Sequence, residues 1–155
     1  LAALCVEEPL QLSGLDGPPV QWVESTNEEA EVAADQEVER LISEGWNPGD
    51  ICVLTTGSRH AIQRQDGEGA MSRVYWKKFF EEEATYHCTT TGFKGLERRA
   101  IVLAINGWKD PARKKDILYT SITRARDLLI VCGSKEEITQ SGGKEFFKKL
   151  SKSNP

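Results

Sequence analysis

The chain is poor in cysteine, histidine and methionine and has no long apolar run, and each shortage removes a class of protein. Its four cysteines, Cys5, Cys52, Cys88 and Cys132, form no CxxC pair, which argues against a zinc ribbon or a disulfide-stapled scaffold. Three of them lie inside apolar, strand-like runs, so buried free thiols in a reducing cytoplasm are expected. The two histidines, His60 and His87, have no Cys, Ser or second His at a spacing that suggests catalysis, and they read as packing or surface residues with no bound metal. No stretch approaches the roughly 18 apolar residues of a membrane span, and no signal-peptide pattern opens the chain. A cytoplasmic protein with no membrane partner is therefore expected. The chain opens on Leu1 and its one methionine is Met71, which reads as a piece of a longer polypeptide. Also missing is any G-x-x-x-x-G-K-[ST] segment, and no acidic pair closes a long apolar run. The chain by itself thus lacks a phosphate-cradling loop and the carboxylates that hold magnesium beside it.

What is present is an alternation of short apolar strands and amphipathic helices. That pattern predicts one α/β domain with a mainly parallel sheet covered on both faces, and 155 residues suit a single core. Residues 1–19, rich in Gly and Pro, are expected to be an irregular entry segment, and the domain proper to occupy 20–155. Strands are predicted at 20–23, 51–54, 86–90, 100–105 and 128–132. Thr26-Asn27-Glu28-Glu29 has capping-box spacing, and Ala30, Ala34, Val38, Leu41 and Ile42 recur behind it at helical period until Gly45. A short helix is expected from Ser58 and a polar loop over 64–70. A further helix over 71–83 would turn Val74, Phe79 and Phe80 inward. Asp110-Pro111 starts a helix that runs to about Ala125, and a last helix is predicted at 144–150. The net charge of −4 gives no general pull towards nucleic acid, so any such binding rests on local donors. The basic clusters Arg98-Arg99, Arg113-Lys114-Lys115 and Lys148-Lys149 read as solvated faces. Of the four tryptophans, Trp108 is the one to consider as a stacking platform for a base.

Two segments carry chemistry. Thr89-Thr90-Thr91-Gly92-Phe93-Lys94-Gly95-Leu96-Glu97 places hydroxyls and a glycine turn at a strand end, where open α/β sheets bind ligands and where phosphate oxygens can be held without net positive charge. Tyr119-Thr120-Ser121-Ile122-Thr123-Arg124-Ala125 delivers an arginine beside an apolar strand. The first segment resembles motif V of the UvrD/Rep/PcrA-like superfamily 1 DNA helicases and the second resembles motif VI. Ile51 to Arg59 is similar to a reduced motif IV.

The resemblance covers residues 50–133 and implies the second RecA-like motor domain of an ATP-dependent helicase or translocase, in a compact form without the large helical insertion. It implies Arg124 as an arginine finger and Arg59 as a second γ-phosphate contact. Gly95 and Glu97 would serve ATP, and Thr89, Thr91 and Gly92 single-stranded DNA, with RNA left open. Relatives commonly carry histidine where Thr91 stands. The first RecA-like domain, which would hold Mg²⁺ with ATP, is the expected partner in the same polypeptide. The isolated chain is then expected to catalyse nothing. The other reading of the same residues is a non-catalytic RecA-like module that binds nucleic acid or protein.

Overall fold

The computed structural model describes residues 20–65 and 73–152; the entry segment expected over 1–19 and most of the loop expected over 64–70 lie outside them. Five strands, β1 (Val20–Val23), β2 (Ile51–Thr55), β3 (Tyr86–Thr89), β4 (Arg98–Ala104) and β5 (Ala125–Cys132), pair in the order β1-β5-β4-β2-β3. Every pairing is parallel. The connections carry α1 (Ala30–Ser43), α2 (Ala61–Gln65), α3 (Arg73–Glu81) and α4 (Lys114–Ile122). The chain ends with α5 (Lys135–Gly142) and α6 (Lys144–Lys152). This is the expected α/β architecture, and a wholly parallel sheet with helices on both faces is consistent with a RecA-like domain. Among the described residues, no helix is long and apolar enough to cross a membrane.

The inner strands are continuous apolar runs because both their faces are covered. Cys52, Leu54, Ile101, Leu103, Leu129 and Val131 face one core with Leu118, Ile138, Phe146 and Leu150. Ile51, Val53, Ala100, Val102, Ala104 and Ile130 face a second core under α1. Alanines at 30, 34, 100 and 104 keep that second layer thin, so a single helix covers it. Each large apolar side chain buried in these layers contributes roughly 1.5–3 kcal/mol. Cys52, Cys88 and Cys132 are buried free thiols, and burial pushes Cys132 up to about 12 and Cys52 well above its ordinary value.

Local signals behave largely as read. Glu29 N donates to Thr26 Oγ1 at 3.3 Å while Thr26 N donates to Glu29 Oε2 at 3.3 Å, a reciprocal capping box. Gly45 ends the helix at φ +96°. Asp110 caps a short 3₁₀ turn (Pro111–Arg113) that leads into α4.

The differences are specific. Ile42 and Phe80 are exposed rather than buried, because Leu41 and Phe79 take the inward positions one residue earlier; Val74 lies outside the described side chains. The helix before β5 stops at Ile122, and β5 begins at Ala125. A helix stands at Lys135–Gly142 where none was expected. Arg98 is buried rather than solvated. Its Nη1 donates to Glu82 at 2.7 Å, its Nη2 donates to the Phe79 carbonyl, and its guanidinium lies 3.9 Å over the Phe79 ring.

Candidate nucleotide and nucleic-acid surfaces

Parallel pairing puts every strand's carboxyl end on one edge of the sheet, and three loops meet there. Thr90 N donates to the Thr55 carbonyl at 2.9 Å, and Lys109 N donates to the Thr56 carbonyl at 3.1 Å. Gly57 N donates to Asn106 Oδ1 at 2.9 Å, and Asn106 Nδ2 donates to Glu31 Oε1 at 2.8 Å. These bonds lock the loops after β2, β3 and β4 into one rim. A cleft of about 430 Å³ opens on it, lined by Ser58, Arg59, Thr89, Thr91, Gly92 and Lys109 among others. A second cleft of about 460 Å³ adjoins it and shares Thr91 and Lys109, adding Lys94, Arg113 and Thr120. Arg59, Lys94, Lys109 and Arg113 are exposed. They outnumber the two carboxylates of the same lining, Asp110 and Asp116, the second paired with Arg113 at 3.3 Å. This rim therefore carries a small local excess of positive charge in a chain of net negative charge.

The turn after β3 is held from inside. Gly92 N donates to Thr89 Oγ1 at 3.2 Å, and Phe93 N donates to the Thr89 carbonyl at 3.0 Å. Those two amides are engaged by the turn itself. A Cβ on Gly92 would stand 3.0 Å from Cys88 Sγ, so close packing explains the glycine. The side-chain donors on the two clefts are the exposed Thr91, the half-buried Thr89 hydroxyl, Arg59, Lys94 and Lys109 among others.

The opposite edge of the sheet gathers the other residues. Arg124 ends the α4-to-β5 corner, half-buried. Its Nε donates to the Thr120 carbonyl at 3.0 Å, its Nη1 to the Leu96 carbonyl at 3.3 Å and its Nη2 to Thr123 Oγ1 at 2.9 Å. Three of the guanidinium's five N–H groups are thereby used and two are left for another acceptor. Gly95, at φ +86° with open space where a Cβ would be, turns the chain so that Leu96 meets Arg124 and Glu97 emerges exposed. Glu97 faces Arg126 across 3.8 Å.

The expected site residues therefore form two groups. Thr89, Thr91 and Gly92 share the carboxyl edge; Gly95, Glu97 and Arg124 share the amino edge. Arg59 belongs to the first group. It follows β2 whereas Arg124 precedes β5, so the length of the sheet separates them, about 20 Å for strands of this size. The structure does not bring Arg59 to Arg124 as two contacts on one γ-phosphate require. Trp108 is half-buried with its Nε1 donating to Glu137, which also accepts from Lys114 Nζ at 3.2 Å, so the indole serves the fold. Sequence reading missed Lys94, Lys109 and Arg113 as cleft residues. The signal available was their position in the loops that follow β3 and β4. Among the described residues, the group with metal-ligand geometry is Asp35, His60 and His87, away from Glu97 and Arg124.

No protein-family model matches the chain, and no curated protein matches it. Among solved structures it is similar to the C-terminal domain of a possible DNA helicase from Lactobacillus plantarum WCFS1. The TM-score is 0.46 and the sequence identity 13%, over 79% of this chain and 78% of that one.

Proposed function

We propose that this chain is the second RecA-like motor domain of an ATP-dependent superfamily 1 helicase or translocase, binding single-stranded DNA on one edge of its sheet and completing an ATP site on the other. The observation that carries the reading is the path of the nine-residue Thr89-to-Glu97 segment. It starts in the cleft, ends beside Arg124, and so joins the two edges through one internally hydrogen-bonded turn.

On the carboxyl edge, Thr89, Thr91, Arg59 and Lys109 suit a phosphodiester backbone. Hydroxyls and cations there bind without reading sequence, and local charge suffices where net charge is unhelpful. On the amino edge, Glu97 and the Gly95 turn suit a nucleotide's ribose. Arg124 has two uncommitted N–H groups on a guanidinium fixed by three hydrogen bonds. An arginine held in this way stabilises charge that develops on a transferring phosphoryl group and contributes on the order of 10³–10⁵ in rate. Glu97 faces Arg126. Mg²⁺ bound with ATP would find its ligands on an adjoining domain, as would the phosphates, since the sequence has no G-x-x-x-x-G-K-[ST] segment. Because the Leu96 carbonyl touches Arg124 and Thr89 lines the cleft, a shift of this turn on nucleotide hydrolysis is felt at the strand.

The test uses the parent polypeptide. Arg124→Ala should lower ATP turnover by about 10³-fold or more with nucleotide affinity nearly unchanged, and Arg124→Lys should not restore it, because lysine lacks the planar fork. Lys109→Ala should weaken single-stranded DNA binding and reduce its salt slope by about one phosphate contact. Near-normal turnover in Arg124→Ala with intact DNA binding would instead favour the non-catalytic module.

A further inference from the structure

Below the carboxyl edge, on the α1 side of the sheet, three side chains from separate elements converge. His60 leads into α2, His87 sits mid-strand in β3 opposite Val53, and Asp35 lies on α1. His60 is 1% exposed, and its Nε2 is buried without a hydrogen-bond partner. That nitrogen lies 3.2 Å from Asp35 Oδ1, and His87 Nε2 lies 3.8 Å from the same oxygen. The imidazole centroids are 4.6 Å apart, and the three ligand atoms all fall within 4.8 Å of one another.

We propose that Asp35, His60 and His87 form a binding site for a borderline divalent transition ion, with Zn²⁺ the best match. A tetrahedral ion with ligands at about 2.0–2.2 Å separates those ligands by roughly 3.3–3.6 Å. Two of the three separations already lie close to that value, and the two imidazole nitrogens lie within 4.8 Å of each other. Two imidazoles with one carboxylate select such an ion over Mg²⁺ or Ca²⁺, which prefer all-oxygen sets. Asp35 is partly exposed, which gives the ion an entry path and leaves a fourth position to water.

Glu31 supports the site from outside. Its Oε2 lies 4.0 Å from His60 Nε2, accepts Ala61 N at 3.1 Å, and so fixes the start of α2. One contact opposes ligation: His60 Nδ1 accepts Ile62 N at 3.2 Å. Binding through Nε2 moves the ring proton to Nδ1 and releases that amide, a first-turn donor of an exposed helix, to water. The ion would join α1, α2 and β3 and steady Arg59, the residue before His60, at the rim of the basic cleft.

The experiment titrates the metal-stripped chain with Co²⁺, follows the visible ligand-field bands, and then displaces the ion with Zn²⁺. One equivalent with tetrahedral-type absorption is expected, together with a Zn²⁺-dependent rise in melting temperature. His87→Gln and Asp35→Asn change groups at the margin of the core, and each should weaken binding by more than about tenfold while the metal-free fold is kept by circular dichroism. Absence of binding, affinity in both variants equal to that of the parent chain, or an intense near-ultraviolet thiolate band that places the ion on cysteine would each overturn the proposal.

Discussion

Thr90 Oγ1 and Ser121 Oγ lie 2.8 Å apart in the interior and tie the turn after β3 to α4. Ser121 also sits 2.8 Å from the Ile117 carbonyl, and when its hydroxyl donates there Thr90 is the donor within the pair. The Thr55 carbonyl, 3.2 Å from Thr90 Oγ1, competes for the same proton. The middle threonine of Thr89-Thr90-Thr91 is thus the internal one, flanked by two that border the cleft.

Thr90→Val should cost about 1–2 kcal/mol in urea unfolding, since it removes the donor and leaves buried acceptors unpaired. Ser121→Ala should cost less, because Thr90 can then give its proton wholly to Thr55. The double variant should lose clearly less than the sum. Strict additivity would mean that the two hydroxyls do not act together.

Gly49 is a steric requirement. A Cβ there would fall 1.6 Å from the Glu82 carbonyl oxygen, where the chain leaves α3 with Glu82 at φ +53°. The clash is with backbone, which cannot swing aside. Gly49→Ala should destabilise by about 3 kcal/mol or more. Gly95→Ala, at positive φ with open space around it, should cost only about 1 kcal/mol. Thermal melts of the two variants side by side check this, and equal losses would refute the packing argument.

Glu137 gives a pH signature. Burial pushes its carboxyl up, but hydrogen bonds from Trp108 and Lys114 and the Lys114 charge outweigh it, and the net shift is downward. A carboxyl depressed in the folded state contributes stability that is present above its unfolded pKa and is lost as pH falls through the folded one. Glu137→Gln should therefore melt below the parent chain at neutral pH, with the gap closing beneath about pH 4. A gap of the same size at pH 3 and pH 7 would rule out this linkage.

Much of the fold was legible because its signals are local. Apolar runs marked all five strands, and Thr26, Gly45 and Asp110 marked helix ends through caps and turns. The helix at Lys135–Gly142 was missed because it buries little beyond Ile138 and Ser141. Its own start signal was nevertheless present: Ser134 Oγ accepts Glu137 N at 3.2 Å, in Ser-x-x-Glu spacing. Phe80 and Ile42 were misplaced because adjacent apolar residues on a helix differ by about 100°, and only the neighbouring sheet chooses between them. The separation of Arg59 from Arg124 was also within reach. One follows a strand and the other precedes one, and a parallel sheet sends such residues to opposite edges.

By itself the sequence determined the alternation of elements and the parallel α/β class, since period, capping and turn residues act over a few positions. Tertiary structure alone decided the rest. Strand order and register placed His87 opposite Val53 and within reach of His60 and Asp35, buried Arg98 against Phe79, and set Thr90 against Ser121. Each of these contacts joins residues far apart in the chain. They exist only once the sheet has fixed which strands are neighbours, and no local spacing encodes that choice.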